Sequence, residues 1–211
     1  MIWTAVIVAV AYQVFVLIPA VIIHLLVPGL PIILLAGLSN LAAGFALYGL
    51  LRLRGVAWEV VDLGDVNTLS LGLALGGAAV SLALTAILSG MLAAVFGPDG
   101  LSVSESFMDQ IHSGSRGEIL FTIVLVAPLV EEFIYRGLLL GVLLARGWAP
   151  TFAIGLSALI FALQHIQYGW IGIAMVMVYG LVLGLLRVAT GGLFAPILAH
   201  LSINLVSVLF W

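Results

Sequence analysis

Three short polar runs interrupt otherwise apolar sequence, and together they hold the groups that amide hydrolysis needs. The first carries Glu131, Glu132 and Arg136, the second His165, and the third His200 and Asn204. Attack of water on a peptide carbonyl requires a base to take the water's proton and fixed donors where the carbonyl oxygen gains charge. Carboxylate and imidazole serve as the base, while imidazole and amide N–H groups serve as the donors.

Helical spacing sorts these residues. Glu132 and Arg136 stand at i and i+4 on one face, with the acid N-terminal to the base, which is the favourable order for an ion pair. Glu131 is turned away by about 100° and lacks that local cation, so it is the better candidate base. Tyr135, one turn on, is placed to donate to it. Pro128, three residues earlier, removes a backbone donor, which predicts a kink or a point of water entry. His200 and Asn204 also share a face at i,i+4 and can donate into one cavity. Each feature has a structural reading as well: the Glu132–Arg136 pair can serve packing alone, and His and Asn also link membrane helices by hydrogen bonds.

The elements that position these groups must cross lipid. Hydrophobic residues make up 64% of the 211 and charged residues 7%, and the mean hydropathy is +1.37, outside the range of a soluble domain. Three ionisable residues within one apolar span are costly, at about 2.5–3.5 kcal/mol each on insertion scales, so they call for a function. A crossing takes about 20 residues, and turn residues divide the chain into about seven spans near 2–27, 31–51, 69–96, 118–145, 149–166, 170–188 and 192–211, possible re-entrant segments giving an eighth. The first is read as a retained helix, with Gln13 and His24 as packing or interface residues. The expected fold is an all-α transmembrane bundle, one integral membrane domain over 1–211 with its site inside the bundle.

Two connections are longer than turns: 52–68, with Glu59, Asp62 and Asp65, and 97–117, with Asp99, Glu105 and Asp109. Both read as solvated, amphipathic loops. Glycine pairs at four-residue spacing, Gly72/Gly76, Gly137/Gly141 and Gly180/Gly184, predict close helix packing. Arg52, Arg54, Arg146 and Arg187 on one side, against Arg116 on the other, favour a cytoplasmic N-terminus and an external C-terminus. The net charge of −3, with no Lys, gives no basic patch for nucleic acid. The absence of Cys excludes disulfides, thiolate nucleophiles and Cys-based zinc sites. Lipid and a membrane-associated peptide or protein are the expected partners.

Taken in order, Glu131-Glu132-x-x-x-Arg136, Phe161-x-x-x-His165 and His200-x-x-x-Asn204 resemble the CAAX protease and bacteriocin-processing family, also called Abi, over about residues 118–211. The resemblance implies an all-helical intramembrane endopeptidase of the type II CAAX prenyl endopeptidase kind. Its eukaryotic relatives remove the last three residues of prenylated CAAX proteins, and its bacterial relatives include peptide-processing and immunity proteins. It further implies that Glu131 and His165 activate water, that His200 and Asn204 bind the oxyanion, and that Glu132 and Arg136 support the site. A plasma-membrane protein of a prokaryote is expected.

The family has also been described as metalloproteases, so zinc enters as an alternative, with Glu131, His165 and His200 as ligands and Glu132 as base. Without a His-Glu-x-x-His run, and with Asn204 a poor ligand, a metal-free glutamate mechanism is favoured. Two other classes stay open. A proton-coupled transporter also uses intramembrane carboxylates and histidines, but ordinarily shows two related halves, which this chain lacks. A non-catalytic immunity or scaffolding protein would keep the fold without needing the chemistry.

Overall fold

The computed structural model describes residues 2–97, 109, 111 and 114–210, and excludes the side chains of Ile2, Trp3, Thr4, Gln13 and Trp58. Most of the 97–117 connection, including Asp99 and Glu105, and the side chain of Gln13 therefore lie outside the described residues. Among the described residues every regular element is a helix, as lipid demands of a backbone that must satisfy its own hydrogen bonds.

The elements are α1 (Ile2–Leu26), α2 (Ile32–Leu53), the short α3 (Ala57–Val61), α4 (Thr68–Phe96), α5 (116–145), α6 (Pro150–Leu163), a 3-10 turn (Ile166–Tyr168), α7 (Gly169–Thr190) and α8 (Phe194–Leu209). Local sequence sets several of their ends. Asn67 and Ser70 form a reciprocal capping box at the start of α4, and Ser115 and Glu118 form one at the start of α5, which satisfies orphan N–H groups of the first turn. Pro150 opens α6, where its missing donor costs nothing. Gly191, at φ 73°, closes α7 in the left-handed conformation.

Seven longer helical segments thus stand where the seven apolar stretches predicted them. Three are long and apolar enough to cross a membrane alone, namely α2, α4 and the 166–190 segment, and α1, bent by 46° between Tyr12 and Val14, makes a fourth. At 14 and 16 residues, α6 and α8 extend only about 21 and 24 Å, short of a ~30 Å hydrocarbon core. The lipid-side faces are apolar, with Ile7, Val14, Leu25, Leu69, Ile87 and Met91 all exposed. The chain is an integral membrane protein.

At the centre is α5, where every residue from Phe133 to Leu140 is buried. It is not a uniform α-helix. Residues Leu120–Val126 and Phe133–Leu140 are π-helical, with Ala127–Glu132 an α-helical piece between them. Small residues let the helices approach: Gly180 and Gly184 of α7 meet Ala158 and Ile154 of α6. A second apolar cluster, including Ala74, Ala78, Leu183, Leu186 and Ala199, joins α4, α7 and α8. The glycine expectation needs correction at two pairs: Gly72 and Gly76 face open space while the neighbouring Gly77 makes the contact, against Leu186, and Gly141 meets only the Arg136 carbonyl of its own helix. Glycine spacing marks a smooth face, but which face meets a helix depends on how the bundle assembles.

The 52–68 connection is likewise more than a solvated loop. Ala57 and Val60 are buried, and the Val60 backbone lies against Gly137 of α5, where a side chain would collide with its carbonyl. Further along, the carbonyls of Asp62 and Leu63 accept from the N–H groups of Leu193 (2.9 Å) and Phe194 (3.1 Å). Those are orphan donors at the start of α8, and Gly192 lies against the backbone of Leu63 and Gly64. The strap joins α5 to the start of α8. Replacing Gly137 or Gly192 by Ala should lower the thermal midpoint in detergent, overpacking being worth about 1–3 kcal/mol. Gly72→Ala, facing open space, should leave the midpoint unchanged or raise it.

Candidate active site

Glu131 and Glu132 leave the α-helical piece of α5 in different directions, as their adjacent positions require. Glu132 turns into the bundle. Its Oε1 meets Arg136 Nη1 at 2.9 Å, with both side chains wholly buried. The guanidinium also donates to the Gly180 carbonyl at 3.1 Å and lies 4.4 Å from the centroid of the Phe161 ring. Among the described residues, Glu132 Oε2 and Arg136 Nε are buried without a hydrogen-bond partner, so the pair is held by the contacts just named.

Glu131 faces two imidazoles. Its Oε1 is 4.0 Å from His165 Nε2 and its Oε2 is 3.7 Å from His200 Nε2. The short α6 makes this possible, since it stops at Leu163 and leaves His165 just beyond its end, level with Glu131, where a straight full-length helix would carry it toward the membrane face. Each ring is held by its other nitrogen. His165 Nδ1 bonds the Phe161 carbonyl at 2.9 Å, and His200 Nδ1 bonds Glu132 Oε1 at 2.8 Å. Both partners are acceptors only, the carboxylate because it is ionised against Arg136, so Nδ1 carries hydrogen in each ring and Nε2 is presented to Glu131. Both gaps exceed a direct hydrogen bond and are of a size one water can bridge.

Phe161 is the residue that spacing alone undervalues. Its ring packs edge-on against His165 (4.8 Å) and His200 (5.8 Å) and beneath Arg136, fixing both imidazoles with one apolar side chain. The signal was its i,i+4 relation to His165. The expected Tyr135–Glu131 bond does not form. The Tyr135 hydroxyl instead donates to the Ala9 carbonyl of α1, at 3.5 Å. Asn204, on the same helix face as His200, donates from Nδ2 to the Ile123 carbonyl at 2.9 Å.

Two ligands each 2.0–2.1 Å from a tetrahedral ion lie about 3.3 Å apart, whereas the Glu131–His200 and Glu131–His165 gaps are 3.7 and 4.0 Å. Among the described residues no group of three or more His, Asp or Glu is arranged to hold a metal ion.

An all-helical membrane bundle with a carboxylate and two imidazoles converging inside it is the kind of site that intramembrane hydrolases need. Residues 118–206, less than half of the chain, are similar to the family of Rce1-like type II CAAX prenyl endopeptidases. An uncharacterised 24.3 kDa protein of Escherichia coli is 33% identical over 93 residues, which is 43% of this chain and 43% of that protein. The chain thus matches less than half the length of this relative. No solved structure matches it.

Proposed function

We propose that this protein is an intramembrane endopeptidase in which Glu131 and His165 activate a water molecule against a peptide carbonyl. The observation that carries the reading is the convergence of His165 and His200 on Glu131 through their Nε2 atoms at water-bridging distances. Glu131 takes a proton from the water as its oxygen attacks the carbonyl carbon, and His165 orients that water. His200 donates from Nε2 to the oxyanion. Its Nδ1 is held by Glu132 Oε1 at 2.8 Å, and an oxyanion donor is typically worth about 2.7–4 kcal/mol. Glu131 then passes its proton to the leaving amine as the C–N bond breaks. Glu132 and Arg136 hold the His200 ring in register.

The proposed substrate is a membrane-associated peptide or protein with an apolar attachment, CAAX-like in kind. Support comes from a cleft of about 380 Å³ whose lining includes Gly44 and Phe45 of α2, Leu63 of the strap, Leu129 and Phe133 of α5, and Ile197 of α8. The cleft runs along the Leu129–Phe133 face of α5, and neither glutamate lines it. The test is reconstitution into liposomes with a farnesylated CAAX peptide and its unprenylated twin, measuring release of the C-terminal tripeptide. Release from the farnesylated peptide is expected, and no fragment from either would count against the reading. On the metal question we propose water activation without zinc, supported by the ligand spacing. Activity should survive exhaustive chelation, and loss to chelator restored by one equivalent of zinc would reverse that choice.

A further inference from the structure

We infer that Asn204 is a positioning residue whose side chain supplies the N–H that Pro128 withholds from the Ile123 carbonyl, thereby locking α8 against α5 beside Glu131. The catalytic consequence rests on the function proposed above, but the bond itself does not.

In the first π segment of α5, the Ala127 N–H donates to the carbonyl of Thr122, five residues back. The next step of that register would bring the N–H of residue 128 to the carbonyl of Ile123. Residue 128 is proline and has none. A carbonyl left unpaired inside a membrane bundle is costly, and neighbouring helices characteristically satisfy the groups that a proline frees. Asn204 Nδ2 sits 2.9 Å from that oxygen. The side chain of one helix therefore completes the backbone of another.

Geometry then gives the bond its place in the site. One turn before Asn204 on the same face of α8, His200 is bonded to Glu132 of α5 at 2.8 Å. The two helices are thus joined at two points, Ile123–Asn204 and Glu132–His200, running antiparallel. Glu131 is three residues after Pro128 and 3.7 Å from His200. With one link removed, α8 can pivot about the other, and the Glu131–His200 distance is what changes. This differs from a direct donor role for Asn204 at the oxyanion, because it makes Asn204 dispensable once Ile123 has another donor.

That difference can be measured with Asn204→Leu, which removes the donor at similar volume, and Pro128→Ala, which restores a backbone N–H. The first readout is the thermal midpoint in detergent, which needs no substrate. Asn204→Leu should fall by a few degrees, and the double variant should recover most of the loss. Penalties that simply add, or a midpoint for Asn204→Leu equal to wild type, would overturn the inference. Should Pro128→Ala fail to accumulate, Pro128→Leu restores the same N–H. The second readout is cleavage: kcat should drop at least tenfold in Asn204→Leu with KM little changed, and recover in the double variant. A restored midpoint without restored kcat would mean that Asn204 touches the reacting carbonyl, contrary to the inference. If wild type cleaves nothing, the proposed function fails while the thermal cycle still decides this one.

Discussion

Glu131→Gln is expected to lower peptide cleavage by about 10²–10⁴-fold, the range a positioned general base contributes, while leaving the thermal midpoint and membrane yield close to wild type. The substitution keeps volume and hydrogen bonding but removes the ability to take a proton from water. The fold should tolerate it because, among the described residues, the ion pairs of Glu131 are the longer contacts with the two imidazoles at 3.7 and 4.0 Å, and its side chain is still 18% exposed. Steady-state cleavage in liposomes, with melting in detergent on the same preparation, separates the two effects. Undiminished kcat would remove Glu131 from the reaction, whereas a collapsed midpoint would mean that the carboxylate is structural.

Arg136→Met is expected to do the reverse and break the protein first. The substitution keeps an apolar stem but strips Glu132 of its cation in a place with no access to water, both side chains being fully buried. Breaking a buried pair from one side typically costs about 3–5 kcal/mol, because the remaining charge is uncompensated. The Gly180 carbonyl also loses its donor, and the Phe161 ring loses the cation above it. Folded yield in the membrane and the thermal midpoint should both fall sharply. Replacing Glu132 and Arg136 together by Gln and Met should be milder than Arg136→Met alone, since no charge is stranded. A midpoint for Arg136→Met within a degree or so of wild type would contradict the account of this pair.

These two expectations mark the line between what could be read along the chain and what could not. The pairing of Glu132 with Arg136, and the separation of Glu131 from it, follow from 3.6-residue periodicity and needed no tertiary information. The helical segments were legible for the same kind of reason, as apolar stretches bounded by turn residues. The backbone register of α5 was not legible. Tyr135 reaches the Ala9 carbonyl of α1 and not Glu131, and neighbouring helices bond the backbone of both π segments: Ser157 donates to the Tyr135 carbonyl at 2.8 Å, and Asn204 to that of Ile123. Periodicity also placed His200 and Asn204 together, but their partners on α5 depend on how two helices slide past one another, which no pattern within either helix records. The 52–68 strap was misjudged for a related reason. Its charged residues Glu59, Asp62 and Asp65 are exposed, as solvation predicts, yet its useful groups are backbone carbonyls and the small contact at Gly137, which composition does not reveal.

In energetic terms the site is built in two tiers. The inner tier, formed by Glu132, Arg136, Phe161 and the Gly180 carbonyl, is buried and largely bonded. The outer tier is formed by the Nε2 edge of His200 and the partly exposed side chains of Glu131 and His165. Such a division is what preorganisation requires: donors fixed before the reaction and one carboxylate left free to change its proton.

The most direct measurement is a comparison of protein termini in membranes from cells producing the wild-type protein with those producing Glu131→Gln at equal level. The account predicts a set of new C-termini and matching released fragments that are present with wild type and missing with Glu131→Gln. Identical termini in the two membranes, with both proteins folded, would contradict it.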